Sequence, residues 1–289
     1  MPQGPIPLLR DRIRAFFRHL PLALAGEPEG IHQMRTAGRR VRVVVPLVAG
    51  KPEGRRVRRA RRTLKALIRA AGPARDLDVC LALYDEHVAG ASPAAKAMRA
   101  RLRAARSRSR RRMRETILDQ EIPTLRRDLR TLLGTPEPVP SVLARIRETR
   151  DLAGGELLAW LEKLGETFDA AALHDLRRRV RRLRYVAEAA DELTGAESKA
   201  PKRFKRLQEQ LGGIHDAAVL AAWLARHATA ADRRQASDQA AEARRHGAAL
   251  LDLARDRHRA YLEADPVGAA KHALVLLAAE PAASRPAAP

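Results

Sequence analysis

Two stretches of the chain each set one histidine and a series of arginines at helical spacing. Residues 31–42 read IHQMRTAGRRVR, and residues 173–184 read LHDLRRRVRRLR. At the period of an α-helix, His32, Arg35, Arg39 and Arg42 fall within a sector of roughly 80°. His174, Arg177, Arg181 and Arg184 share the corresponding stripe in the second stretch. A guanidinium offers a planar fork of donors that matches phosphate oxygens, and a protonated imidazole adds one more donor. The chemistry these residue types support is recognition of an anion with many oxygens. Such an anion raises the pKa of each histidine by favouring its charged form.

A solvated helix face usually alternates acids and bases at four-residue spacing. These faces do not. Residues 35–69 contain 13 Lys or Arg and one acid, Glu53. Like charges at i,i+4, such as Arg35 and Arg39, destabilise an isolated helix by a few tenths of a kcal/mol. A bound polyanion offsets that cost. The whole chain carries a formal net charge of +22 over 289 residues, which points to nucleic acid, an anionic membrane surface or polyphosphate as partner.

The elements that position these stripes are helices. Ala, Leu and Arg dominate, and apolar residues recur at helical rather than strand spacing. The periodicity predicts helices over 8–25, 30–49, 53–71, 74–89, 92–119 and 120–133. In the second half it predicts 141–152, 155–168, 170–194, 199–212, 214–228, 230–262 and 265–279. Opposite the basic stripes lie Met34, Ala37, Val41, Val44, Val45 and Val48, and then Leu176, Leu183, Val186 and Ala190. These are the expected core faces. The Ala/Pro-rich tail, 281–289, is expected to be disordered.

The two stretches belong to a longer repeat. With an offset of 142, His32 meets His174, Arg35 meets Arg177, Arg39 meets Arg181 and Arg42 meets Arg184. A second pair of blocks follows at an offset of 140: KALIRAAGPARDLDV at 65–79 and KRLQEQLGGIHDAAV at 205–219. An internal duplication accounts for both. The expected units are 8–134 and 141–279, joined where TPEPVP interrupts the periodicity. The expected fold is all-α: two pseudo-symmetric helical bundles around a basic central groove or pore. Asp76 and Asp216, just past Gly72-Pro73 and Gly212-Gly213, are expected as helix caps.

The pattern His-x-x-Arg-x-x-x-Arg-Arg-x-Arg at His32–Arg42 and His174–Arg184, with GPARDLDV and GGIHDAAV, resembles the CHAD (conserved histidine α-helical domain) family. The resemblance runs from about Leu8 to Leu277. It implies an all-α fold that binds inorganic polyphosphate, in some members on polyphosphate granules. The contact residues it implies are His32, Arg35, Arg39, Arg42, Arg62 and Lys65, with His174, Arg177, Arg181, Arg184, Lys202 and Lys205. Sulfate or phosphate would stand in for the ligand in crystals. His215 and Ala218 replace Arg75 and Asp78 of the first copy, so the halves need not contribute equally.

Other functions fit the sequence less well. Nucleic acid suits the charge, but aromatics are 3% of the chain and almost none interleave the basic stripes, whereas single-strand binders stack bases on aromatics. A scaffold role would use the long helices 92–119 and 230–262. A metal-dependent phosphohydrolase would use the His174-Asp175 and His215-Asp216 dipeptides. Neighbouring helical positions point about 100° apart, and the surrounding arginines repel a dication. The expectation is therefore a non-enzymatic binding protein without cofactor or metal. The single cysteine, Cys80, excludes an internal disulfide. Leu8-Leu9 is followed at once by charge, so no signal peptide is expected. Without an apolar run of about 18 residues no membrane span is expected either, and a cytoplasmic setting is the default.

Overall fold

A computed structural model describes residues 4–88, 92–134 and 137–278. They form eleven helices and no strand. In chain order these are α1 (Pro5–Ala25), α2 (Pro28–Val48), α3 (Arg55–Ala70), α4 (Gly72–His87), α5 (Pro93–Leu118) and α6 (Ile122–Leu132). They continue with α7 (Val139–Leu164), α8 (Ala170–Thr194), α9 (Ala200–Asp232), α10 (Ser237–Glu263) and α11 (Pro266–Ala278). The tail expectation for 281–289 lies outside the described residues.

Local chemistry sets many of the ends. Proline occupies the first turn of α1, α2, α4, α5, α6, α7 and α9, where its missing N–H costs nothing. Asp169 caps α8 by accepting from the backbone N–H groups of Ala171 and Ala172 at 2.8 and 3.1 Å. Gly26 and Gly195 close α1 and α8 in the left-handed region, at φ 83° and 70°, a conformation glycine adopts without strain.

Three predicted boundaries fail, for identifiable reasons. Gly154-Gly155 and Gly212-Gly213 do not break helices; α7 and α9 run straight through them. A Cβ on Gly154 would stand 2.8 Å from a methyl of Leu274, so the glycine lets α11 approach α7. Only the first-half block is interrupted, at Ala71 between α3 and α4, because Pro73 stands where the second half has Gly213. The predicted helix 230–262 instead divides at Arg233–Ala236, where Gln235 takes a positive φ of 57°.

The stretches 8–134 and 141–279 do not enclose separate interiors. The larger core joins Leu8, Phe16, Met34, Val41 and Leu64 to Leu157, Leu173, Leu183, Phe204 and Leu211. The smaller one joins Cys80, Tyr84, Met98 and Leu102 of α4 and α5 to Leu220, Leu224 and Leu250 of α9 and α10. The two halves bury their apolar faces against one another. α2 packs on α8, and α4 on α9.

Candidate anion-binding site

The buried faces of α2 and α8 orient their basic stripes. Met34, Val41, Val44, Val45 and Val48 on α2 are buried, as are Leu176, Leu183 and Val186 on α8; these are the expected core faces. Packing them forces Arg35 and Arg39 of α2 and Arg177 and Arg181 of α8 into one electrostatic neighbourhood. Burial, with Arg39, Arg75 and Arg177 nearby, pushes the Arg35 guanidinium down to about 10. Burial and then Arg39, with smaller contributions from Arg177 and Arg35, push Arg181 down to about 9. Arg39 is lowered chiefly by burial and Arg177. Arg42 is lowered by burial, Arg61, Arg39 and Arg178.

Direct ion pairs are sparse in this cluster, although Asp76 favours the charged forms of Arg35 and Arg39 from a longer range. Among the described residues no carboxylate oxygen lies within 4.0 Å of Arg35, Arg39, Arg42 or Arg181. Among the described residues, Arg35 Nη1, Arg42 Nε and Arg177 Nε are buried without a hydrogen-bond partner. Buried donors in native structures nearly always have one.

Two carboxylates do reach the edge of the cluster. Asp76 and Asp216 lie inside α4 and α9 rather than at their ends, so the expected capping role is wrong. Asp216 Oδ1 stands 3.9 Å from Arg177 Nη1. Its pKa is raised by burial, against the opposing pull of Arg177, and Asp76 adds to the rise. The error follows from Gly212-Gly213: with no break there, nothing near Asp216 is left to cap.

The histidines stand beside the arginines. Burial and Arg75 lower the pKa of His32; burial, Arg181 and Arg177 lower that of His174. His174 faces His215 on α9, with ring centroids 4.3 Å apart and the two Nδ1 atoms 3.3 Å apart. Burial and His174 push His215 down to about 3. Arg75, the residue that the repeat aligns with His215, bears on His32 through its charge, while His215 touches His174 directly. The alignment paired Arg75 with His215, but neither was expected as a site residue.

Other expected contacts do not join this cluster. Arg184 is bound to Glu188 at 2.9 Å, and Glu188 also accepts from Arg40 of α2 at 2.8 and 3.1 Å. Glu188 therefore clamps α2 to α8 and neutralises Arg184, whereas the aligned Arg42 has no such acid. Arg62, Lys65, Lys202 and Lys205 are exposed on α3 and α9, and Lys205 pairs with Glu209 at 3.4 Å. On α3 it is Arg61, not Arg62, whose charge bears on Arg42. The basic run on α5 is partly spoken for: Arg106 and Arg110 hold Asp78 at 2.6 and 2.7 Å, and Arg99 holds Asp85 at 2.5 Å.

Among the described residues no group of three or more His, Cys, Asp or Glu is placed to hold a metal ion. No helix among them is long and apolar enough to cross a membrane.

Fold and site together define an all-α protein with an arginine–histidine cluster, only partly compensated by Asp76 and Asp216, between its paired helices. The chain belongs to the CHAD domain family, whose model matches residues 7–225. Its fold is similar to the crystal structure of the CHAD domain from the plant Ricinus communis, with a TM-score of 0.61 and 22% sequence identity over 98% of this chain and 96% of that one. No curated protein matches the chain.

Proposed function

We propose that this protein binds inorganic polyphosphate, without hydrolysing it, at the cluster formed by Arg35, Arg39, Arg177 and Arg181 with His32, His174 and His215. One observation carries the reading: guanidinia from α2 and α8 lie close enough to depress one another's pKa, with no acid within ion-pair distance of Arg35, Arg39 or Arg181 among the described residues. Folding brings these charges together at a cost that a polyanion removes. The CHAD family membership supports the choice of polyphosphate.

Nucleic acid is the natural competitor. Tyr185 is an aromatic residue beside the cluster, a neighbour of Arg39 and Arg181. It is 4% exposed and offers no face for a base to stack on. Polyphosphate supplies the same charge without bases. Cytoplasmic residence, and association with polyphosphate granules, follow from this proposal as its cellular form.

The test is a competition at about 150 mM salt between long-chain polyphosphate and DNA of equal total charge, since salt sets the scale of any such affinity. Polyphosphate is expected to win, with an affinity that falls steeply as salt rises. Preferential binding of DNA would overturn the proposal.

A further inference from the structure

A second basic site lies apart from the cluster. α5 and the C-terminal part of α9 line a pocket of about 310 Å³ with Arg101, Arg108, Trp223, Arg226, His227 and Arg234. Trp223 is eleven residues beyond Gly212 on α9, about 16 Å along the helix axis. Trp223 is half-buried against the smaller core, and the same side chain lines the pocket. His227, one turn further on, stacks on it with ring centroids 5.1 Å apart and planes 10° from parallel.

Two kinds of chemistry coincide here. Trp223 and His227 stack face to face and both line the pocket, so a further planar ring would lengthen the stack from an outer face, and His227 Nε2 is buried without a partner among the described residues. Burial, Arg101 and Arg234 hold the imidazole below its usual pKa, so at neutral pH it is uncharged. Around the rings stand four guanidinia, none with a carboxylate within 4.0 Å among the described residues. Arg101 donates to the uncharged Gln239 at 3.0 Å. A simple oxyanion would use only the arginines, and an aromatic molecule only the rings. A ligand that uses both joins a planar heterocycle to phosphate. The volume sits at the lower end of small-molecule pockets, about 300–1,000 Å³. A nucleic-acid strand would need a succession of stacking platforms, and this pocket holds one pair.

We propose that this pocket is a nucleotide site, which takes a nucleoside di- or triphosphate with its base extending the Trp223–His227 stack and its phosphates among Arg101, Arg108, Arg226 and Arg234. The site is independent of the polyphosphate reading, and either can fail without the other.

The chain has two tryptophans, so Trp160→Phe leaves Trp223 as its only indole emitter. The experiment titrates ADP, inorganic pyrophosphate and a short single-stranded oligonucleotide into that variant at about 150 mM salt, following indole emission and heat. ADP is expected to change the emission saturably and to bind at least about fivefold tighter than pyrophosphate, the low end of what stacking one base contributes. Arg226→Gln with Arg234→Gln is expected to weaken ADP by about a hundredfold, the scale of two lost charged hydrogen bonds. Arg39→Gln with Arg181→Gln is expected to leave ADP binding unchanged. Equal affinity for ADP and pyrophosphate, no binding of ADP, tighter binding of the oligonucleotide, or loss of ADP in the Arg39→Gln/Arg181→Gln protein would each overturn the proposal.

Discussion

Arg177 of α8 lies over Gly212 of α9, with its Nη2 3.2 Å from the point where a Cβ on that glycine would stand. The first half repeats the arrangement: Arg35 Nη1 is 3.1 Å from the same point on Gly72. Each glycine makes room for the guanidinium that begins its half of the cluster after the histidine. Gly212→Ala removes a poor helix former from the interior of α9, a gain of about 1 kcal/mol. The new methyl displaces the end of a flexible arginine rather than backbone. The expected result is an unchanged or higher melting temperature together with polyphosphate binding weakened by a few-fold, on the order of 1 kcal/mol. Thermal melts and a binding titration on the same variant check it.

The cluster should destabilise the free protein. Burial and the neighbouring arginines push Arg181 down to about 9 in the folded chain, well below its ordinary value, so at neutral pH folding works against its charge. For a base with a lowered folded pKa, stability rises with pH only above that lowered value. At pH 7 the penalty is therefore fully present. Arg181→Met is expected to raise stability by on the order of 1 kcal/mol, about 2 °C for a chain of this size, while weakening polyphosphate binding. Added salt, which screens like charges, should stabilise the wild type more than the variant. Calorimetric melts at two salt concentrations check both statements.

The histidines give the binding a pH dependence. In the free protein His32, His174 and His215 are all held below their usual range, His215 at about 3. A polyanion beside them favours the protonated rings. Binding should therefore take up protons, and affinity should rise as pH falls from 7 toward 5. The free protein moves the other way: an unfolded His215 binds a proton below about 6.5 that the folded one refuses, so stability falls across the same interval. Calorimetric titration in two buffers of different ionisation heat reads the proton uptake directly.

Asp78 separates structure from function. Its side chain is 4% exposed and held between Arg106 and Arg110 of α5, and the aligned position in the second half is Ala218. Asp78→Ala leaves two half-buried arginines without their acid and is expected to cost about 3 kcal/mol. Polyphosphate affinity of the folded fraction should not change. A denaturant melt paired with a binding titration checks this.

Much of this arrangement was legible in the sequence. The offset repeat and the single-signed stripes led to an all-α fold and to Arg35, Arg39, Arg177 and Arg181, because burying one helix face dictates where the opposite face points. What escaped was information held by neighbours. Gly212-Gly213 has the composition of a break, and only the Arg177 packed over it explains why α9 continues. Arg184 matches Arg42 by position, but Glu188 four residues later neutralises it. Arg62, a contact that the resemblance implies, is exposed on α3. A wheel through Val57, Ala60, Leu64 and Leu67, all buried, sets Arg62 roughly opposite the core and Arg61 at its margin. The pairing of His174 with His215 depends on how α8 meets α9, which no spacing along the chain encodes.

The most direct measurement is a titration of size-defined polyphosphate into wild type and an Arg35→Gln/Arg177→Gln double variant, with helicity followed by circular dichroism. Loss of two charged phosphate contacts predicts affinity lower by at least about a hundredfold, with unchanged helicity and no rise in free phosphate. A double variant that folds normally and binds polyphosphate as tightly as the wild type would contradict the account.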